Sequence, residues 1–200
     1  MASLKQEATL TWNQISLQTV INLLGRNENY CCLEGEAYSE EKSLSVHLAA
    51  NDIFGLYYFY VHKLILCYLF GDFSQAVKNS LSAELYLEGA VGHLSVSLFY
   101  FYDSLIQLQM YFCTSDKAEQ EDLLLRVKNN QKQIQKWTDI IPIIFKHKYD
   151  LVEAEKARVL GQIIEAEDFY EQAIQGARNN EFIQEEALAY ELAAKFYLAR

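Results

Sequence analysis

Apolar residues recur along this chain at the three- and four-residue steps of an α-helix. Leu10, Ile15, Leu17, Val20, Ile21 and Leu24 predict a helix over residues 4–24, with Gly25 as its stop. Residues 26–46, with an Asn-Glu-Asn run and several serines, predict an irregular loop with room for one short helical turn. Asn51-Asp52 is a capping pair for a helix reaching about Phe70. Gly71-Asp72 then turns the chain into a return helix, giving a hairpin over about 53–87. A second pair spans about 94–136. Its first helix, Leu94 to Cys113, is apolar nearly all round, the pattern of a helix buried between neighbours. Its second carries a narrow seam at Leu123, Val127, Ile134, Trp137 and Ile141, with Asn130 inside the series. Asp116 and Glu119 have the spacing of a capping box at its start. Pro142 places a break at Ile141. A third hairpin is predicted over about 149–179, its helices covering 151–162 and 163–178. Residues 182–200 read as the first helix of an incomplete hairpin whose apolar pattern is still running at Arg200.

Small residues sharpen this reading. Gly161, Ala166, Tyr170 and Ala173 are spaced by five, four and three residues, and Gly71, Ala76, Ser80 and Ala83 repeat that spacing. This is the small-residue ladder of a tetratricopeptide-like helical hairpin. Helices that approach to about 8–10 Å need small side chains where they cross. Ala154, Ala166 and Ala173 are the expected crossings, the glycines the turns, and Tyr170 the filler toward the next hairpin. The copies lie 90 residues apart, which is no multiple of a 34-residue repeat. The expected fold class is therefore all-α, a divergent array of antiparallel helical hairpins forming one segment over residues 1–200.

Composition agrees. One proline and eight glycines are too few turn residues for a β-sandwich of 200 residues. The formal charge of −10 argues against general nucleic-acid binding, which needs a basic stripe. Cys31, Cys32, Cys67 and Cys113 lack paired metal-site spacing and read as small core residues in a reducing cytoplasm. The first ten residues show no apolar leader. The apolar run from Leu56 to Phe70 is shorter than a membrane span and carries His62 and Lys63.

Four stretches go beyond a generic helical pattern: residues 63–77 (KLILCYLFGDFSQAV), 99–105 (FYFYDSL), 129–161 and 185–200. They resemble the helical connecting region of the multi-sensor signal-transduction multi-kinases of cyanobacteria and some other organisms. Those proteins string together a serine/threonine kinase, an ATPase, a long helical region, GAF sensor domains and often a histidine kinase. The resemblance covers nearly the whole chain and is most specific from Trp137 through His147-Lys148 and Glu153-Ala154-Glu155 to Arg158 and Gly161. It implies a cytoplasmic, non-catalytic scaffold in a two-component or kinase signalling system. The partners would be the kinase, ATPase or sensor modules of that system, and the chain a fragment or split piece of the whole. The alternative is a free-standing adaptor that binds a partner protein or peptide in a repeat groove.

No catalytic, cofactor-binding or metal-ligating residue is assigned. Glycine-rich phosphate loops, a His-Arg-Asp triplet and an Asp-Phe-Gly triplet are missing, and Asp52-Ile53-Phe54-Gly55 is a false echo of the last. His147 as a phosphoacceptor lacks the acidic neighbour such chemistry requires, and reads as an orienting contact at a helix start. Glu153, Glu155, Glu165 and Glu167 have no Glu-x-x-His partner and read as solvated helix faces. The aromatics at 57–60 and 99–102 read as core filling, with a pocket as the sharper alternative. Arg126, Lys128, Lys132, Lys136, Lys146 and Lys148 form a locally basic stretch that reads as part of a mixed surface, with contact to an acidic partner domain as the sharper alternative.

Overall fold

Local signals set most of the helix ends in the computed structural model, which describes residues 2–27 and 29–200, with side chains from Thr9 onward. Glu28, inside the expected Asn-Glu-Asn loop run, lies outside the described residues. Helix α1 covers Ala2–Leu23 and α2 covers Glu40–Ala49. Asp52 then caps α3 (Ile53–Leu69), its Oδ1 accepting from the Gly55 N–H at 3.0 Å. Asp72 does the same for α4 (Phe73–Leu85) through the Gln75 N–H at 3.1 Å. A 3-10 turn at Leu87–Ala90 precedes α5 (Ser95–Met110). Helices α6 (Lys117–Ile140), α7 (Pro142–Val159), α8 (Ile163–Asn179) and α9 (Ile183–Leu198) follow. Gly71 and Gly161 sit at φ 79° and 71° in the turns of the α3–α4 and α7–α8 hairpins. A Cβ at either would meet nothing within 4 Å, so the backbone conformation alone selects glycine. The fold is all-α. Among the described residues it contains no strand, only an isolated bridge between Glu34 and Ser39.

Three boundaries differ from expectation. The loop predicted over 26–46 ends at Ser39, and α2 takes up its last seven residues. The carboxylates of Glu40 and Glu41 favour the positive end of that helix. Glu40 also ties α2 down, accepting from the Leu33 N–H at 2.9 Å and pairing with Lys63 of α3. The third hairpin begins at Pro142, not near residue 149. Proline ends α6 and also starts α7, because its fixed φ and missing N–H suit a first helical position. At the start of α6, Asp116 accepts from the Ala118 N–H at 2.9 Å. Glu119, however, takes the Thr114 hydroxyl, and the Asp116 N–H donates to Thr114 Oγ1, so the two acids do not close a reciprocal box.

Contacts divide the chain into two compact units, Met1–Tyr102 and Asp103–Arg200, with the division inside α5. Each is organised around one helix. In the first, α3 packs against α1, α2, α4 and the 3-10 turn. Ile15, Leu33, Tyr38, Phe59 and Leu66 form its buried cluster, and Tyr57, Phe99 and Phe101 are also fully buried. Each such side chain contributes on the order of 1.5–3 kcal/mol by leaving water. In the second, α7 packs against α6, α8 and α9. There Ala154, Ala166 and Ala173 are 0–1% exposed, as close helix crossings require. Tyr170 is equally buried and reaches Phe196 of α9, ring centroids 5.4 Å apart. In the other ladder Ala76, Ser80 and Ala83 are all 0% exposed. Among the described residues no helix is long and apolar enough to cross a membrane.

Candidate interaction groove

The six cations of the basic stretch separate into two groups once the chain folds. Arg126 grips Asp103, Nε to Oδ2 at 2.8 Å and an outer guanidinium nitrogen to Oδ1 at 3.0 Å. Asp103 is 0% exposed and also accepts from Asn130 at 2.6 Å and Gln107 at 3.0 Å. That explains the polar Asn130 inside an apolar seam. Lys146 pairs with Asp150 along α7. Lys148 is buried, 3.1 Å from Glu185 and 4.7 Å above the Phe182 ring. Burial lowers its pKa, and Glu185 acts in the opposite direction.

Lys128, Lys132 and Lys136 remain, at i, i+4 and i+8 on the exposed side of α6. Like charges at this spacing destabilise a helix by about 0.2–0.5 kcal/mol per pair. Their neighbours offer neutral acceptors: Asn129 to Lys132 at 3.4 Å and Gln133 to Lys136 at 3.1 Å. Lys156 approaches from α7, paired with Glu153. Together these residues border a groove of about 470 Å³ between α6 and α7. Gln131, 5% exposed, forms part of its floor. The Gln131 amide donates to the Tyr149 carbonyl at 3.0 Å and to Glu153 Oε1 at 2.9 Å, while its Oε1 has no hydrogen-bond partner. Tyr149 also lines the groove, and burial, reinforced by nearby carboxylates, raises its pKa, keeping it a hydrogen-bond donor.

Lys156 was not among the basic residues singled out from sequence. Its signal exists only in the register between α6 and α7, which no local spacing reports.

The other candidates have structural roles. His147 lies within α7, not at a helix start, stacked on Phe182 at 4.5 Å with Lys148 Nζ 3.0 Å from its Nε2. Burial, then the Lys148 charge, lowers its pKa to about 3, so the ring is neutral. Of the four glutamates, Glu165 and Glu167 stay toward solvent, and Glu167 meets Arg200. Glu155 corrects the solvated-face reading. It is 2% exposed, held by Arg158 at 2.6 Å and by the Tyr170 hydroxyl. Burial, then the Glu155 charge, raises the Tyr170 pKa, so the hydroxyl keeps its proton. The cysteines also divide. Cys67 is buried, Cys31 and Cys32 are half-buried, and Cys113 is exposed, not core. Burial raises the pKa values of both Cys31 and Cys67. A second cavity of about 390 Å³ lies beside Gln18 and Arg26. Gln18 there is satisfied by Asn22 at 2.9 Å and by the Ala37 N–H at 3.1 Å. Among the described residues no group of three or more His, Cys, Asp or Glu is placed to hold a metal ion.

No family model, curated protein or solved structure matches this chain.

Proposed function

We propose that this chain is a non-catalytic, tetratricopeptide-like scaffold whose α6–α7 groove holds a segment of a partner protein. The observation that carries the reading is the lysine row of α6, exposed and without a carboxylate partner, beside a floor of amide groups. Buried charges elsewhere in the second unit face internal partners and serve packing. The resemblance of residues 63–77, 99–105, 129–161 and 185–200 to the connecting region of multi-sensor multi-kinases supports a place in signal transduction. The partner is then a kinase, ATPase or sensor module of the same system, and the compartment is the cytoplasm.

A photo-crosslinking amino acid at Gln135, which lines the groove, tests the reading in cells that make the full chain. The expected result is one discrete protein adduct that mass spectrometry identifies, absent when the crosslinker sits at exposed Gln172 of α8. Indistinguishable adducts from the two positions would count against the groove.

A further inference from the structure

We propose that the occupant of the α6–α7 groove is an extended acidic peptide segment with carboxylates on alternate residues. This rests on the reading of the groove as a protein-binding site and names the chemistry that fills it.

The charge pattern comes first. Four lysines border the groove against one carboxylate, Glu153, in a chain whose net charge is −10. A locally cationic channel on an acidic protein attracts a short anionic segment at close range, while the surrounding field disfavours long polyanions. From Arg126 to Lys136 the helix carries no acid at all.

Spacing comes second. Successive lysines of the row are four residues apart, a rise of about 6 Å along the axis. In an extended strand, alternate side chains lie on one face about 6.6 Å apart. A Glu-x-Glu-x-Glu segment along α6 thus sets successive carboxylates opposite Lys128, Lys132 and Lys136. A helical ligand repeats one face at three or four residues, so it too steps by about 5–6 Å, but it encloses its backbone groups. The groove offers amides for a free backbone. Gln133 and Gln135 lie at its edge and present amide groups to such a backbone. Those amides favour the extended form.

Fluorescence anisotropy on the full chain tests this with labelled (Glu-Ser)5, (Gln-Ser)5 and a ten-nucleotide oligouridylate. The expected result is binding of (Glu-Ser)5 alone, weakening as salt rises from about 50 to about 300 mM. The triple variant Lys128→Gln, Lys132→Gln, Lys136→Gln should weaken it about tenfold or more. A control triple at exposed Lys42, Lys78 and Lys195 removes the same charge and should leave binding unchanged. Equal losses in the two triples would reduce the effect to net charge and overturn the proposal. Tighter binding of oligouridylate than of (Glu-Ser)5 would overturn it as well. A Gln135 adduct without (Glu-Ser)5 binding would refute the acidic occupant alone, and loss of both would refute the groove.

Discussion

The hairpins α3–α4 and α7–α8 share one frame and differ in what holds them. Shifted by 90 residues, Ile53–Leu69 and Phe73–Leu85 fall on positions inside α7 and α8, and Gly71 falls on Gly161. Within that frame, Tyr170 with its Glu155 and Arg158 partners corresponds to Ser80, Ile65 and Tyr68. The first hairpin is surrounded by rings: Tyr68 against Tyr102 at 5.6 Å, Tyr57 against Phe99 at 6.4 Å, Tyr38 against Phe59 at 6.2 Å. The second is crossed by charge: Lys148 with Glu185, Arg158 with Glu155, and nearby Arg126 with Asp103. The lesson is that small residues and glycine turns define a hairpin, whereas its lining is free to change. The charged version also adds one lysine, Lys156 of α7, to the lysine row of its neighbour α6 at the surface groove.

The comparison is open to breakage. Trp12 lies in the first unit and Trp137 in the second, so Trp137→Phe and Trp12→Phe backgrounds leave one reporter each. The largest effects should come from each unit's own currency. Phe59→Ala removes a ring 1% exposed and should cost about 3–5 kcal/mol, read by Trp12. Arg126→Ala removes the cation from the buried Asp103 carboxylate, leaving it neutral donors such as Asn130 and Gln107, and should cost about 3–5 kcal/mol, read by Trp137. If both reporters shift equally for either variant in denaturant, the two units do not unfold separately and the contrast loses its meaning.

Next in size are the crossings. Ala76→Leu and Ala166→Leu each overpack a 0% exposed site and should cost about 1–3 kcal/mol. Matching losses in urea titrations would confirm the shared frame, and a tolerated Ala166→Leu would show that α7 and α8 are not closely packed there.

Acid separates the units more gently. The folded His147 pKa is about 3, against an ordinary 6.5, so the unfolded chain binds the proton first as pH falls. This stability is complete above about pH 6.5 and declines toward pH 3, by at most about 1.4 kcal/mol per pH unit. His62 in α3, which burial lowers to about 4, has a narrower window. His147→Gln should flatten the Trp137 stability profile between those limits more than His62→Gln flattens that of Trp12. Unchanged slopes in both variants would show that neither histidine is held neutral.

The smallest effect should be common to both. Gly71→Ala and Gly161→Ala meet open space, so only the positive φ penalises them, by about 1 kcal/mol each. A much larger loss at one position, measured in the same titrations, would mean that its turn does more than reverse the chain.

How much of this was legible depended on range. The Gly71 and Gly161 turns, the Asp52 cap and the Ala166 and Ala173 crossings could all be read, because each signal acts within a few residues. Helix α2 was missed because its anchors, Leu33 and Lys63, lie outside it and reach it through Glu40. The start of α7 precedes the predicted hairpin start because Pro142, besides breaking α6, occupies the first position of the next helix. Glu155 looked solvated because its partner Tyr170 comes from the next helix.

The sequence by itself determined the helical class and the duplicated glycine and small-residue frame, since turn geometry and helix periodicity are local properties. Tertiary structure alone decided which charges are internal and which are free. Lys148 and Lys128 look alike in the chain, yet one is buried against Glu185 and the other borders a groove. That sorting follows from the register of α6, α7 and α9, where burial sets the worth of a charge and distance sets its partner.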